Sequence, residues 1–439
     1  MCPCHQSEDA RPPPLRPKLA HLVFERYFRP AIPERVLSSD TRLWRDSIRE
    51  SITFSLMLTH NVASFTGGLS AKLATRSRHV CSFFGAGTSK ACGLPDVAQL
   101  TEKISAGLEG EQLESFKRLT LSRDLEQVLS RLRRVQTVIE GSDTVDGLTQ
   151  RKAESLDMAI CKLIIGELTG AEARMGPADN FAAWVARADY LRPVELFTVN
   201  YDNVLETALE SKGVPYFDGF VGTWTARFRT DLVEATQIND ESLLPPLFAR
   251  LWKLHGSINW AWNKTHPSGE VVRLGQTVPG DQIAAIFPSD AKYEESRRMP
   301  FVVLQDRLRR ALNEPETLFL VSGYSWADEH INELFFDAAA RRPRTEIIAF
   351  CFSEIPVILA EKASQTPNLQ VVTKSEAIIG GLRAPWESPG TGVTLPGDIW
   401  DGTSFGLGDF GNLASFLARS SSTVGDDMRG PTFEGPNAD

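Results

Sequence analysis

The sequence predicts an α/β protein: a Rossmann-like parallel sheet with helices on both faces and a helical module inserted after the first core strand. Three observations predict it. Six short runs are almost continuously apolar: "HVCSFF" (79–84), "PVELFTV" (193–199), "ARLWKL" (249–254), "ETLFLVS" (316–322), "EIIAFCF" (346–352) and "LQVV" (369–372). Strands covered on both faces read this way. Helical patterns separate most of the runs, which is the order of a parallel sheet. Four of the runs end in small or hydrogen-bonding residues, as the ligand-binding rim of such a sheet requires.

A chain of 439 residues has room for one large domain or two ordinary ones. Its 42% hydrophobic and 23% charged residues are those of a soluble globular protein. The net charge of −9 argues against the whole chain binding a polyanion. Two basic clusters, Arg131, Arg133 and Arg134, and Arg307, Arg309 and Arg310, are expected to be solvated helix faces or contacts with an acidic partner. No apolar run approaches the ~18 residues of a membrane span. The N-terminal "MCPCHQSEDARPPPLRPK" has no signal-peptide core, so the expected compartment is the cytosol. Six cysteines in a chain this long do not make a disulfide framework. Cys81, Cys92, Cys161 and Cys351 are expected to be buried reduced thiols. Cys2, Cys4 and His5 have no fourth ligand nearby, and no metal site is expected.

In chain order, residues 1–38 form a Pro-rich segment expected to be partly disordered. Residues 39–418 are the expected folded domain. It starts with a helix in "SSDTRLWRDSIRESITFSLML", where Leu43, Ile48, Ile52, Phe54 and Leu58 are the apolar positions. From about 97 to 191 no strand pattern occurs. "RDLEQVLSRLRRVQTVI" and "SLDMAICKLIIGELTG" are amphipathic or buried helices, so this stretch is the inserted module. After Asp202, Val204, Leu205, Ala208 and Leu209 form a helical stripe that Lys212-Gly213 ends. "LGDFGNLASFLARS" is the last expected helix, and 419–439 is expected to be a disordered tail.

The strand ends carry the chemistry. The first strand is followed by Gly85-Ala86-Gly87-Thr88-Ser89, the second by Asn200-Tyr201-Asp202, the third by His255-Gly256-Ser257, the fourth by Gly323-Tyr324-Ser325. Glycines let a backbone approach a phosphate closely. The first loop lacks the Gly-Lys-Ser/Thr of a P-loop, and Lys90 stands where the dinucleotide fingerprint needs its third glycine. By itself this loop fits a nucleotide cradle and a packing turn equally. Asn200 suits a water or a ribose hydroxyl. Asp202 suits an amide or a helix N-cap. A histidine side chain suits proton transfer near neutrality, so His255 fits a general base, and it also fits a core histidine. Ser325 stands three residues before Asp328, a spacing that resembles a capping arrangement.

Taken in order, "GAGTSKACGLPD", "TVNYD", "KLHGSINW" and "GYSWADEHI" resemble the motifs of the sirtuin (silent information regulator) family. More closely, they resemble the sirtuin-like NAD hydrolases of bacterial antiphage defence. The motifs span about residues 79–352, and the sheet and last helix extend the resemblance to about 415. It implies a Rossmann-type NAD site with NAD as substrate and no metal. Gly85, Ala86, Gly87, Thr88 and Ser89, with Asp96, Gly323 and Ser325, would hold the nucleotide. Asn200 would position water or ribose, Asp202 the nicotinamide amide, and His255 would be the catalytic histidine. Protein-deacylating sirtuins have Phe-Arg where Val97-Ala98 follow Asp96 here, Gln where Val199 stands, and a zinc module of paired Cys-x-x-Cys that this sequence lacks.

The departures favour hydrolysis of NAD to nicotinamide and ADP-ribose over deacylation. Such an enzyme would act in abortive infection by depleting NAD. The resemblance also implies gating by homo-oligomerisation and by a separate activator, either a HerA-type DNA-translocating ATPase or a short Argonaute, so nucleic acid would enter only through that partner. Alternatives are an NAD- or ADP-ribose-binding regulatory module, and a NAD-dependent deacylase or ADP-ribosyltransferase.

Overall fold

The structure is a computed structural model. It describes residues 58–139, 143–170, 172–235, 249–263, 270–276, 278, 283–285, 299–390 and 392–420. The expected helix over 39–58 lies outside these residues except for Leu58, as do Cys2, Cys4, His5 and residues 421–439.

The fifteen described strands are β1 (His60–Asn61), β2 (His79–Phe84), β3 (Glu195–Thr198), β4 (Tyr216–Phe217), β5 (Phe220–Val221), β6 (Thr225–Phe228), β7 (Ala249–Lys253), β8 (Gly256–Asn263), β9 (Glu270–Leu274), β10 (Ile283–Ala285), β11 (Thr317–Ser322), β12 (Glu346–Phe350), β13 (Leu369–Val372), β14 (Glu376–Ile379) and β15 (Leu382–Glu387). Ten form one sheet in the order β1-β15-β14-β13-β12-β11-β2-β3-β7-β4. The six apolar runs are its centre, and every neighbouring pair from β7 to β13 is parallel. By sequence rank those six lie 3-2-1-4-5-6, the doubly wound order. The chain leaves β2 to one side for β3 and returns on the other side as β11, so the topological switch point falls between β2 and β11.

Helices cover both faces because each central strand is apolar on both. Val80, Leu196, Leu251, Leu320 and Ile348 face a core shared with α1 (Val62–Leu73), α7 (Gly176–Arg187), α8 (Val204–Ser211) and α13 (Phe410–Ser420). Phe83, Phe197, Trp252, Phe319 and Ile347 face the opposite core with α10 (Phe301–Asn313), α11 (Glu329–Arg341) and α12 (Val357–Gln365). The stripe after Asp202 is buried as expected, and Gly213 stops that helix at φ +66°. The last helix continues through Arg419 and Ser420, where the tail was expected to begin.

Between β2 and β3 the chain is helical: α2 (Ala86–Ala91), α3 (Val97–Gly107), α4 (Gly110–Thr120), α5 (Leu125–Val138), α6 (Gln150–Gly170) and then α7. Helices α3–α6 have their own core, which they share with the second sheet through Ala261, Val272 and Ile283. That sheet is five-stranded and antiparallel, in the order β10-β8-β9-β6-β5. A short helix, α9 (Thr230–Glu234), follows β6. α7 instead packs on the main sheet's core with α13.

Arg307 departs from the expected solvated face. It is buried against Glu195, to which its Nε donates at 2.8 Å. No helix among the described residues is long and apolar enough to cross a membrane.

Candidate active site

The C-terminal ends of β2, β3, β7, β11 and β12 open into one cavity of about 450 Å³. Gly85, Ala86, Gly87, Ser89, Asn200, Asp202, His255, Gly323 and Ser325 all line it. The parallel register alone brings together nine of the eleven residues picked out in the sequence. The roof is apolar: Val97 and Leu100 from α3, Leu125 from α5, and Ile164 and Leu168 from α6. The inserted module is therefore one wall of the site.

The glycines have a specific task. Gly87 N donates to Gly323 O at 2.8 Å, and Gly85 N donates to Ser322 O at 3.1 Å. The loops after β2 and β11 are thus stitched backbone to backbone across the switch point. A Cβ on Gly85 would lie 2.6 Å from Gly323 O, and one on Gly87 would lie 2.6 Å from Gly323 Cα. Neither has room. These two amides serve the protein itself, so the loop meets a ligand with the bare Cα faces of its glycines and with Ala86. Such a side-chain-free cradle fits a pyrophosphate pressed close to the backbone.

Asn200 closes the cradle from β3. Its Nδ2 lies 2.9 Å from Gly85 O, 3.1 Å from Thr88 Oγ1 and 2.8 Å from Ser89 Oγ. The amide hydrogens are committed to the loop. What the side chain can offer a ligand is Oδ1, an acceptor for a water or a ribose hydroxyl. Ser89 Oγ donates to Asp202 Oδ2 at 2.6 Å, and Asp202 Oδ1 accepts from Val204 N at 3.0 Å. Asp202 is therefore both a turn-former at the start of α8 and a cleft residue. Each carboxylate oxygen keeps a second lone pair for an amide donor. Thr88 points inward. It is buried, and its Oγ1 donates to Gly85 O at 2.8 Å.

Lys253, unmarked by the sequence reading, holds the loop after β3. Only 2% exposed, its Nζ donates to the carbonyl of Asp202, lies 3.3 Å from the Tyr201 carbonyl and pairs with Glu206 Oε1 at 2.8 Å. Burial pushes the Glu206 carboxyl up, against the pull of the Lys253 charge. A lysine inside the apolar run "ARLWKL" was the available signal, since a buried charge needs a partner.

His255 follows β7, and its Nε2 lies 3.4 Å from Asp328 Oδ2, both side chains being buried. The capping role read onto Ser325 falls to Asp328, whose Oδ1 accepts from Ile331 N at 3.3 Å at the start of α11. Ser325 is exposed on the cleft wall instead. Asp96 sits behind the wall. It caps α3 reciprocally with Gln99 and takes 2.7 Å from Lys90 Nζ. The Gln99 amide, then Lys90, hold its carboxyl below the usual range. Lys90 thus occupies the fingerprint's glycine position as a surface ion-pair partner. The nearby thiols are not nucleophiles: burial pushes Cys92 up to about 11 and Cys351 up to about 12. Among the described residues no group of three or more His, Cys, Asp or Glu is placed to hold a metal.

Fold and site together define a doubly wound α/β protein with a nucleotide-sized cleft at its switch point, walled by Asn, Asp and His. Residues 194–372 match the family model of the SIR2-like domain. The matched stretch carries Asn200, Asp202, His255, Gly323 and Ser325, while the loop after β2 lies before it. SIR2-like domains use NAD, which is similar chemistry to that implied by the motifs. No curated protein matches the chain.

Proposed function

We propose that the protein hydrolyses the N-glycosidic bond of NAD, releasing nicotinamide and ADP-ribose. The observation that carries this reading is the convergence of Asn200 Oδ1, Asp202 and His255 on one cleft beside a side-chain-free loop. The ring nitrogen of NAD is already cationic and leaves as neutral nicotinamide when it takes the bond pair, so it needs no general acid. The barrier lies in the oxocarbenium-like ribose, as in other glycoside hydrolysis. Asn200 Oδ1 accepts from the attacking water or a ribose hydroxyl. Asp202 accepts from the carboxamide and holds the ring. The water oxygen bonds to the ribose carbon, the carbon–nitrogen bond breaks with its pair going to the ring, and His255 takes the water's proton. A general base of this kind is worth ~10²–10⁴-fold in rate.

The apolar wall supports hydrolysis over protein deacylation, because the insert's Val97, Leu100, Leu125, Ile164 and Leu168 side chains offer an acylated peptide's backbone no hydrogen-bonding groups. In the cell this activity would serve abortive antiphage defence by depleting NAD, under control of self-assembly and of a separate activator. The reason is physiological: unrestrained NAD loss would harm the host. The test is chromatographic. Purified protein, with and without candidate activators, should convert NAD to nicotinamide and ADP-ribose. His255→Ala and Asn200→Ala should lose at least ~10²-fold at a temperature where both are folded, with Asn200→Ala also unfolding at a lower temperature because its loop hydrogen bonds are gone. Binding of NAD with no turnover under any activator would replace this reading with that of a nucleotide-sensing module.

A further inference from the structure

We propose that Asp328 is the positioning residue for His255: it holds the imidazole by Nε2 and so makes Nδ1 the nitrogen that accepts a proton. The catalytic half of this rests on the NAD-hydrolase reading; the structural half does not. His255 Nε2 and Asp328 Oδ2 are 3.4 Å apart, with side chains 7% and 8% exposed. That is long for a hydrogen bond, and such contacts commonly tighten when a ligand closes the site. The two carboxylate oxygens divide their work. Oδ1 takes the Ile331 amide at 3.3 Å, which fixes the carboxylate's rotation and leaves Oδ2 turned to the ring.

The loop that delivers Asp328 is built at a cost. Trp326 stands at φ +60°, a left-handed conformation that a bulky residue rarely adopts. The surroundings impose it. The Trp326 indole stacks on Phe336 at 5.8 Å and 11°. Its carbonyl accepts from Asn332 Nδ2 at 2.8 Å. Tyr324 Oη lies 3.0 Å from Asn332 Oδ1 and 3.2 Å from the Asp328 carbonyl. Strain held this firmly is a mark of functional loops. A helix cap alone would not require it, and Ser, Thr or Asn would cap as well as Asp. What Asp adds is a charge at the imidazole. Of the other acids lining the cleft, Asp202 is engaged by Ser89 and the Val204 amide, and Lys253 is turned to Glu206. The arrangement is that of a histidine whose tautomer is fixed by a buried carboxylate.

The test uses the full chain carrying Asp328→Asn or Asp328→Ser, both of which keep a capping side chain. Nitrogen-15 spectra of the seven histidines, with His255 assigned by its loss in His255→Gln, report the tautomer. Wild type should show His255 protonated at Nε2, and both variants should lose that preference. Where the wild type turns over NAD, kcat should fall about 10²-fold or more with KM little changed. An unaltered His255 tautomer in both variants, or an unaltered kcat, overturns the proposal. Loss of the fold in both variants also overturns it, since the carboxylate would then serve the helix and not the ring. If the wild type turns over no NAD, the hydrolase reading fails by itself and the tautomer decides the role of Asp328.

Discussion

Lys253 shows how much of this site rests on side chains that never touch a ligand. From the end of β7 it reaches under the loop after β3, binding backbone carbonyls of Tyr201 and Asp202 and neutralising Glu206. Ser257 Oγ adds a bond to Tyr201 O at 3.2 Å. Asp202 is thus held from below by Lys253 and from the side by Ser89. Lys253→Met keeps the volume and removes the charge, leaving the partly buried Glu206 without its cation. Breaking one half of a buried pair costs about 3–5 kcal/mol. The expected result is a lower denaturant midpoint together with weaker NAD binding, because the Tyr201–Asp202 carbonyls lose their donor. Adding Glu206→Gln should restore most of the stability but not the binding. Calorimetric titration with NAD, run beside unfolding curves, separates the two.

At the scale of elements, the stitched loops after β2 and β11 are the rigid part of the cleft. Gly323 lies at φ +65°, and a Cβ there would stand 2.5 Å from Thr88 N. Gly323→Ala should therefore push the two loops apart, at a cost of roughly 1–3 kcal/mol, and weaken NAD binding more than it lowers the unfolding temperature. Equal small losses in both would count against a shared cradle. The six central strands were legible because continuous apolar runs have few other uses, and their ends pointed to nine of the cleft residues. The second sheet was not. In β8, "GSINWAWN" begins directly after a strand of the first sheet, and only Gly256 at φ +85° turns the chain between them. Nor was the β14–β15 hairpin, although "IIGGLR" carries a two-glycine turn with Gly380 at φ +61° and Gly381 at φ +84°. That signal is present in the sequence: two glycines between short apolar runs suit a hairpin turn. The roof was unreadable for a different reason: Leu125, Ile164 and Leu168 look like any core residues of amphipathic helices until the module is seen lying over the cleft.

Across the whole molecule, the two ends of one sheet have opposite tasks. The C-terminal ends open into the cleft. At the N-terminal ends the polar groups are shut inside: Glu195, 2% exposed, takes His79 Nε2 at 3.0 Å, Trp252 Nε1 at 2.7 Å and the Arg307 guanidinium, joining β2, β3, β7 and α10. A glutamate at the start of the run "ELFT" already signalled a buried partner. Burial, the largest effect, would raise the Glu195 carboxyl, but the His79 hydrogen bond and the charge and bonds of Arg307 outweigh it and hold it far below the usual range. A carboxyl depressed in the folded state adds stability above its unfolded value of about 4.3, and that stability is lost as pH falls towards the folded value. Glu195→Gln keeps the shape and strands Arg307, so at pH 7 it should cost about 3–5 kcal/mol. The gap between wild type and variant should narrow as the pH drops below about 4, since only the wild type has this carboxylate to lose. The stability at each pH comes from urea unfolding curves. NAD turnover by the variant at pH 7, at a temperature where it is folded, should stay at the wild-type level, because the cluster lies at the far ends of the strands. A constant gap across the acid range would show that Glu195 is not the ionised centre of the cluster. A loss of turnover in a folded variant would show that the two ends of the sheet are coupled.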